Sequence, residues 1–465
     1  MADIGLTGLG TMGAALALNM AERGYSVAVH NRSRGRTDEL VAEAGALADN
    51  LEPIEDLADF ARSLAPPRLI LMMVPAGAPV DGVIEALLPH LDQGDTLIDG
   101  GNADFNDTRR RERDLAAKGF GFVGMGVSGG EDGARHGPSI MVGGPEASYD
   151  RLGPIVEAIA ARYQDAPCAA WLGPDGAGHF VKTVHNGIEY GDMQLIAEVW
   201  ALLRASGRSY KSGAELFSEW NEGPLHSYLV EITSEVLAAT DRATGGPLLD
   251  VILDVAGQKG TGRWTLIEAL KLGQSASTIE AAVGARSWSS ERAARALGAE
   301  TLAPGETARK PILDTDLEKA LLAARIIAYS QGLTLLSRAS AEFDWNLDLA
   351  RIAEIWRAGC IIRSALLDDI AHAARDGLPE DQLILAPAFA VRLAETLPAL
   401  RRVTSAAISS GAPVPAFASA LSFYDTMRQA RGSADLIQGQ RDFFGRHGFQ
   451  RIDQDGDGFH GPWAD

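Results

Sequence analysis

The sequence predicts an α/β N-terminal domain over residues 1–175, a large all-α domain over 176–430 and a C-terminal tail over 431–465. Three observations predict this arrangement. The N-terminal third alternates short apolar runs with helical patterns, as a parallel sheet with intervening helices requires. From Gly178 to about Ala430 the alternation stops and long helical stretches take over. Arg431–Asp465 is rich in Gly, Gln, Asp and aromatic residues and has no extended helical period. It is too short and polar for a core of its own and must lie on something else.

In the first region the strands are expected at Ile4–Thr7, Ser26–His30, Leu69–Val74, Thr96–Asp99, Gly121–Gly124 and Ser139–Val142. Helical patterns between them include Ala14–Arg23, Val80–Leu91 and Thr108–Lys118. In the second region the long helices are Gly178–Arg204 and Asp316–Glu342, with loops near Thr244–Pro247, Pro304–Pro311 and Gly411–Pro415. A short repeat is visible. Tyr190 precedes Trp220-Asn221-Glu222-Gly223 by 30 residues, and Tyr329 precedes Trp356-Arg357-Ala358-Gly359 by 27. Both units open with a long helix, so an old duplication and chance are both readings.

Composition bounds the function. With 465 residues, two or three domains are expected, and 46% hydrophobic and 22% charged residues are ordinary for a globular chain. No run of about 18 apolar residues suits a membrane span. The N-terminus runs straight into a strand pattern without a secretory signal. Cys168 and Cys360 cannot build a disulfide framework or a cysteine metal site, and a reducing cytoplasm is expected. A net charge of −20 argues against nucleic acid or anionic membranes as partners. Any anionic ligand needs locally concentrated positive charge.

Gly8-Leu9-Gly10-Thr11-Met12-Gly13 follows the first strand and opens a helix. Its glycines allow a tight turn and close approach to a pyrophosphate, and the helix N-terminus offers oriented N–H groups. This context makes the first domain Rossmann-type. The second strand ends at Asn31-Arg32-Ser33, where an NAD site carries an acid for the ribose 2′-hydroxyl. Arg32 instead suits a 2′-phosphate, so NADP is the expected cofactor.

Lys182, His185, Asn186 and Glu189 fall at i, i+3, i+4 and i+7 of an otherwise apolar helix containing Phe180, Val181, Val184, Ile188, Leu195, Ile196 and Val199. They share one face. Such a stripe inside a buried helix is costly unless paired or facing a wet cleft. A salt-bridged seam is one reading. The other is a catalytic pair, because desolvation lowers a lysine pKa and raises a glutamate pKa, as a general base and a general acid need.

Val127-Ser128-Gly129-Gly130 can present backbone N–H groups to an anion or be a plain turn. Gly257-Gln258-Lys259-Gly260-Thr261-Gly262 is a Gly-flanked lysine but not a Walker loop. Arg286, Arg441 and His447 are further candidate cations whose spacing alone joins them to nothing. Asp453–Gly458 imitates the start of a calcium loop, but Ala464 stands where a bidentate Glu is required, so it reads as a polar turn. No metal motif stands out, and none is expected.

With these residues in hand, the chain closely resembles the 6-phosphogluconate dehydrogenase family from Ile4 to about Trp463. The resemblance rests on Ile98-Asp99-Gly100-Gly101-Asn102, Gly126–Gly130, Gly176–Gln194, Asp254–Thr265 and Gln440–Gly445. The run from Gly178 to Tyr190 is its most specific part. It implies oxidative decarboxylation of 6-phospho-D-gluconate to D-ribulose 5-phosphate and CO2 with reduction of NADP, a step of the pentose phosphate pathway. It implies Lys182 as the base at the C3 hydroxyl and Glu189 as the acid at C1. The sugar acid falls to Asn102, Ser128, Gly129, Gly130, His185 and Asn186. The phosphate end falls to Tyr190, Lys259, Arg286, Arg441 and His447. NADP falls to Gly8, Leu9, Gly10, Thr11, Met12, Gly13, Asn31, Arg32, Ser33, Val74, Pro75, Ala76 and Asn102.

The resemblance further implies a homodimer whose tail crosses to the neighbouring site, and no metal, since a protonated lysine can polarise the ketone. Two departures stand out. Pro75 and Ala103 replace the usual lysine of Val-Lys-Ala-Gly and the usual serine after Asn102. The competing readings are a β-hydroxyacid dehydrogenase for a non-phosphorylated acid, which needs no cluster of Lys259, Arg286 and Arg441, and a catalytically silent NADP-binding protein.

Overall fold

The computed structural model describes residues 1–258, 260–303 and 312–463. Ten strands are described: β1 Ile4–Thr7, β2 Val27–His30, β3 Leu51–Pro53, β4 Leu69–Met72, β5 Thr96–Asp99, β6 Gly121–Ser128, β7 Ser139–Gly143, β8 Arg162–Tyr163, β9 Ala166–Pro167 and β10 Ala169–Gly173. Eight form one sheet in the order β10-β7-β6-β5-β4-β1-β2-β3, and β8 and β9 form a small hairpin. Helices cover both faces. In β4, Leu69 and Leu71 enter one apolar core while Ile70 and Met72 enter the other. Burial on both faces is why these strands read as continuous apolar runs rather than as alternation.

Three expectations need correction. The sheet is not wholly parallel, because β7 runs antiparallel to β6. The sequence reading missed β3 and β10 of the sheet and both strands of the β8–β9 hairpin. The tail contains a helix, Ala434–Gly445, where no helical period was expected.

The chain leaves the sheet at Gly173 and enters the long helix Ala177–Ala205. Gly178 permits this junction, since a Cβ there would meet Gly124 O and Gly143 N, each at 2.5 Å. A second long helix, Asp314–Phe343, crosses the first where Gly332 lies against Ile188; a Cβ on Gly332 would meet Ile188 Cδ1 at 2.5 Å. Asp314–Phe343 is long and apolar enough to cross a membrane, but its most apolar window is 94% buried by the rest of the chain, as befits a core helix. Phe105, Phe180 and Trp345 join the sheet region to the helices, with ring centroids 4.9–5.8 Å apart. Truncating such a buried aromatic costs about 3–5 kcal/mol.

The repeat has a structural counterpart. Ser227 and Ser364, soon after Trp220 and Trp356, pair in an isolated antiparallel bridge. Tyr228 N donates to Arg363 O at 3.1 Å, and Ala365 N to His226 O at 3.0 Å. The segments that follow the two tryptophan motifs therefore pair with each other. The loop at Pro304–Pro311 lies outside the described residues.

Candidate active site

The sheet reverses its winding between β1 and β4, and the carboxyl ends of strands flanking such a point form a ligand crevice. Gly8 to Gly13 lie there. A Cβ on Gly8 would strike Met73 O at 2.5 Å, and one on Gly13 would strike Gly8 O at 2.0 Å, so this turn demands glycine at both positions. Gly10, by contrast, faces open space and caps the helix Thr11–Glu22. Leu9 N donates to Asn31 Oδ1 at 3.0 Å, and Asn31 Nδ2 donates to Ser33 O at 3.1 Å. Asn31 thus fixes the glycine loop relative to Arg32 and Ser33. Arg34 pairs with Glu55 and Arg36 with Glu39, both at 3.2 Å. Arg32 is exposed and has no acidic partner among the described residues. This arrangement fits a dinucleotide with an extra phosphate.

Two loops close the crevice. Val74, Pro75 and Ala76 follow β4, and a Cβ on Gly8 would lie 3.1 Å from Val74 Cγ1. Asn102 follows β5, and Gly101 sits beside Val74 O. Arg111, fully buried, donates to Gly77 O at 2.9 Å and faces Asp99 at 3.5 Å, tying both loops to the helix Phe105–Ala116.

Beside this crevice, the helix Ala177–Ala205 presents the polar stripe. Lys182 Nζ donates to Asn186 Oδ1 at 2.8 Å. His185 Nδ1 lies 3.2 Å from the same oxygen, so it carries the proton, and Nε2 accepts from Ser128 Oγ at 3.3 Å. Asn186 Nδ2 donates to Thr261 Oγ1 at 3.0 Å. Glu189 Oε2 is 3.8 Å from His185 Nδ1. A Cβ on Gly126 would strike Lys182 Cβ at 2.4 Å, so the lysine stem packs directly on β6.

Burial sets the protonation states. It pushes the Lys182 ammonium below its ordinary value, with Glu189 and Cys360 opposing the shift. It raises the Glu189 carboxyl, with Lys182 and Arg286 opposing. It drives His185 well down, and Lys182 adds to that. The stripe therefore pairs a weakened ammonium with a weakened acid, and its histidine stays neutral.

The further candidates divide. Gly129 adopts φ 118° and packs against Gly359 O, and Gly130 is exposed beside it at the start of the helix Gly130–His136. The Arg286 guanidinium stacks 3.5 Å over the Tyr190 ring and donates to Gly257 O at 2.7 Å. Lys259 lies outside the described residues. Arg441 and His447 are not brought to this cleft by their own chain. Arg441 bonds Gln438 at 3.0 Å, and His447 packs edge-on to Phe444.

Comparison with known proteins settles the family. The model of the C-terminal domain of 6-phosphogluconate dehydrogenase matches residues 178–463, and that of the NAD binding domain of 6-phosphogluconate dehydrogenase matches residues 3–173. The chain belongs to the 6-phosphogluconate dehydrogenase family. It is 47% identical to the NADP(+)-dependent decarboxylating enzyme of Bacillus subtilis over 99% of each chain. It is 45% identical to the NAD(+)-dependent decarboxylating enzyme of the same organism, over 100% of this chain and 99% of the relative. A solved structure of Plasmodium falciparum 6-phosphogluconate dehydrogenase, described in apo form and in complexes with NADP+ and with 6-phosphogluconate, superposes with a TM-score of 0.95 at 38% identity, covering 99% of this chain and 100% of that one.

Within this family frame, sequence reasoning missed three contributors. Thr261 holds the Asn186 amide, Trp356 meets the His185 ring edge-on at 5.4 Å, and Gly359 supports Gly129. Thr261 was visible between two glycines of the Gly257–Gly262 run. Trp356 and Gly359 were visible only as a repeat.

Proposed function

We propose that this protein is the NADP-dependent, decarboxylating 6-phosphogluconate dehydrogenase of its host, converting 6-phospho-D-gluconate to D-ribulose 5-phosphate and CO2. The observation that carries this reading is the buried Lys182, bonded to Asn186 and sharing a helix face with Glu189. Bound NADP supplies the hydride acceptor. Lys182, neutral because burial disfavours its ammonium, takes the C3 hydroxyl proton as the carbon is oxidised. The product is a β-keto acid, and the Lys182 ammonium then donates to its ketone oxygen as CO2 leaves. Glu189, its carboxyl raised by burial and so readier to hold and hand on a proton, delivers one to C1 of the enediol. Asn186 and His185 hold Lys182 and the sugar hydroxyls, and Ser128 with Gly129 and Gly130 hold the carboxylate. Tyr190, Arg286 and Lys259 take the phosphate.

The coenzyme reading rests on Arg32. Similarity alone is divided, since the two Bacillus subtilis relatives differ by 2 points of identity and use different coenzymes. An unpaired guanidinium at the end of β2 favours NADP.

The active unit proposed is a homodimer. The tail's hydrogen bonds among the described residues are all internal, and Asp442 accepts from Gly448 N, Gly461 N and Trp463 Nε1 and pairs with His460. Leu436, Ile437, Phe443 and Phe444 stand exposed on its helix. A partner subunit would cover them and receive Arg441 and His447 at its phosphate pocket. The working division of the chain is 1–175 for NADP, 176–430 for substrate and dimer contacts, and 431–465 as the crossing tail. Two free, buried cysteines suit a cytoplasmic location.

The test is purified protein with 6-phosphogluconate and NADP, following absorbance of the reduced coenzyme and released CO2. Equal yields of both are expected. Reduction without CO2, or no reduction, would overturn the reading.

A further inference from the structure

His179 stands one helical turn before Lys182 and is not needed as a ligand in the chemistry above. Its side chain is 1% exposed. The ring Nδ1 lies 2.7 Å from Thr108 Oγ1 on the helix Phe105–Ala116. Asp99 and Gly101 lie close enough for their backbone carbonyls to favour the protonated ring, against the burial that lowers its pKa. Those carbonyls begin the loop that carries Asn102. The ring fills a space that the sheet leaves for it, since a Cβ on Gly124 would strike Thr108 Cγ2 at 2.7 Å and His179 Nδ1 at 2.8 Å.

The hydrogens can be assigned from these neighbours. A carbonyl only accepts, so the ring edge facing Asp99 and Gly101 carries the proton at Nε2. Nδ1 is then the acceptor for the Thr108 hydroxyl. That hydroxyl has a weaker alternative in Asp104 O at 3.3 Å. Nε2 makes no bond of good geometry in this structure, although it is fully buried. A buried donor without a partner is costly, so the ring favours an acceptor on the Gly100–Asn102 loop beside it. The same loop is held from below, where Asp99 Oδ1 accepts from Gly101 N at 3.0 Å and Asp99 faces Arg111.

We propose that His179 is a positioning residue: it couples the Asn102 loop of the cofactor crevice to the helix that carries Lys182, so that the loop and the base take up their reacting separation together. The proposal rests on the function proposed above. The neutral imidazole sits between Thr108 and the loop backbone, one helical turn before Lys182 on the same helix. Near-attack geometry is sensitive to misplacements of about 1 Å, which can cost about 10²-fold in rate.

The test compares His179→Phe, His179→Gln, Thr108→Val and Thr108→Ser in the full-length protein. His179→Phe keeps the shape and loses both polar contacts, whereas a glutamine amide can still reach the loop carbonyls. Expected for His179→Phe is a kcat at least tenfold lower, with NADP and 6-phosphogluconate dissociation constants from calorimetry within about threefold of native. The primary isotope effect with C3-deuterated substrate should rise, because hydride transfer becomes limiting. His179→Gln should recover most of the rate, Thr108→Val should fall between, and Thr108→Ser should match native. A native rate and isotope effect in both His179→Phe and Thr108→Val would overturn the proposal. So would equal losses in His179→Phe and His179→Gln that follow a fall in melting temperature, since that marks a purely structural histidine. If His179→Phe does not fold, Thr108→Val decides alone. Failure of the native protein to turn over at all would refute the proposed function instead.

Discussion

Asn186 stands between Lys182 and Thr261: its Oδ1 accepts from the lysine at 2.8 Å and its Nδ2 donates to the threonine at 3.0 Å. An amide held at both ends cannot flip, so the oxygen is kept toward the lysine. Thr261 belongs to the helix Thr261–Lys271, whose Thr265 also donates to Thr183 O at 2.8 Å. The start of that helix is therefore clamped to the helix Ala177–Ala205.

Thr261→Val tests that clamp. It removes one hydroxyl while keeping shape, and a lost neutral hydrogen bond costs about 0.5–1.5 kcal/mol. Catalytic efficiency with 6-phosphogluconate should drop between twofold and about tenfold. Asn186→Leu leaves the buried lysine without its acceptor and should do far more damage. Steady-state kinetics on both variants measures the difference, and equal effects would contradict the clamp.

The pH dependence follows from the direction of two shifts. Lys182 must be neutral, so activity falls as pH drops through its pKa, which burial places below the ordinary lysine value. The Glu189 carboxylate attracts the ammonium and holds that pKa up. Glu189→Gln removes the attraction, so the acid limb of single-turnover hydride transfer should move to lower pH. Proton delivery to C1 should slow in the same variant. An acid limb that stays put or moves upward would separate the two residues.

The coenzyme reading makes its own prediction at Arg32. Arg32→Ala should cost about 1.5–3 kcal/mol of NADP binding per charged bond lost, and NAD far less. Arg34→Ala should cost less, because Arg34 is already engaged by Glu55 and Asp38. Catalytic efficiencies with both coenzymes decide the matter, and equal efficiencies in the native protein would sink the assignment.

The tail is tested by mixing two inactive proteins. Lys182→Met and Arg441→Ala are unfolded and refolded together. If the tail acts on the partner, one site of each mixed dimer has native Lys182 and native Arg441, and activity returns. Mixed dimers confirmed by mass but without activity would rule the crossing tail out.

What the sequence disclosed has physical causes. Strands buried on both faces, such as β4 with Leu69–Met72, announce themselves as apolar runs. The same burial hides their direction, so the reversal of β7 was not legible. Edge strand β3 has only Leu51 buried, too little for a pattern. The tail helix was missed because its apolar residues come as two pairs, Leu436-Ile437 and Phe443-Phe444, with no apolar side chain at 438–442 to mark a repeat every three or four residues. Lys182, His185, Asn186 and Glu189 were legible because a helix face repeats at three and four residues. The partner of Thr261 was not, although the residue stood in the glycine run, because its contact with Asn186 spans 75 residues of sequence.

The central claim is that Lys182 is the base at C3, and Lys182→Met tests it most directly. Methionine keeps the stem's volume against Gly126 and removes only the amine. Calorimetry should find NADP and 6-phosphogluconate bound within about tenfold of native, a difference of no more than about 1.4 kcal/mol. Mixing the ternary complex in a stopped-flow spectrometer should then give no burst of reduced coenzyme. A burst, or steady turnover above a few per cent of native, would contradict the account and move the base to another group, with His185 the first to examine.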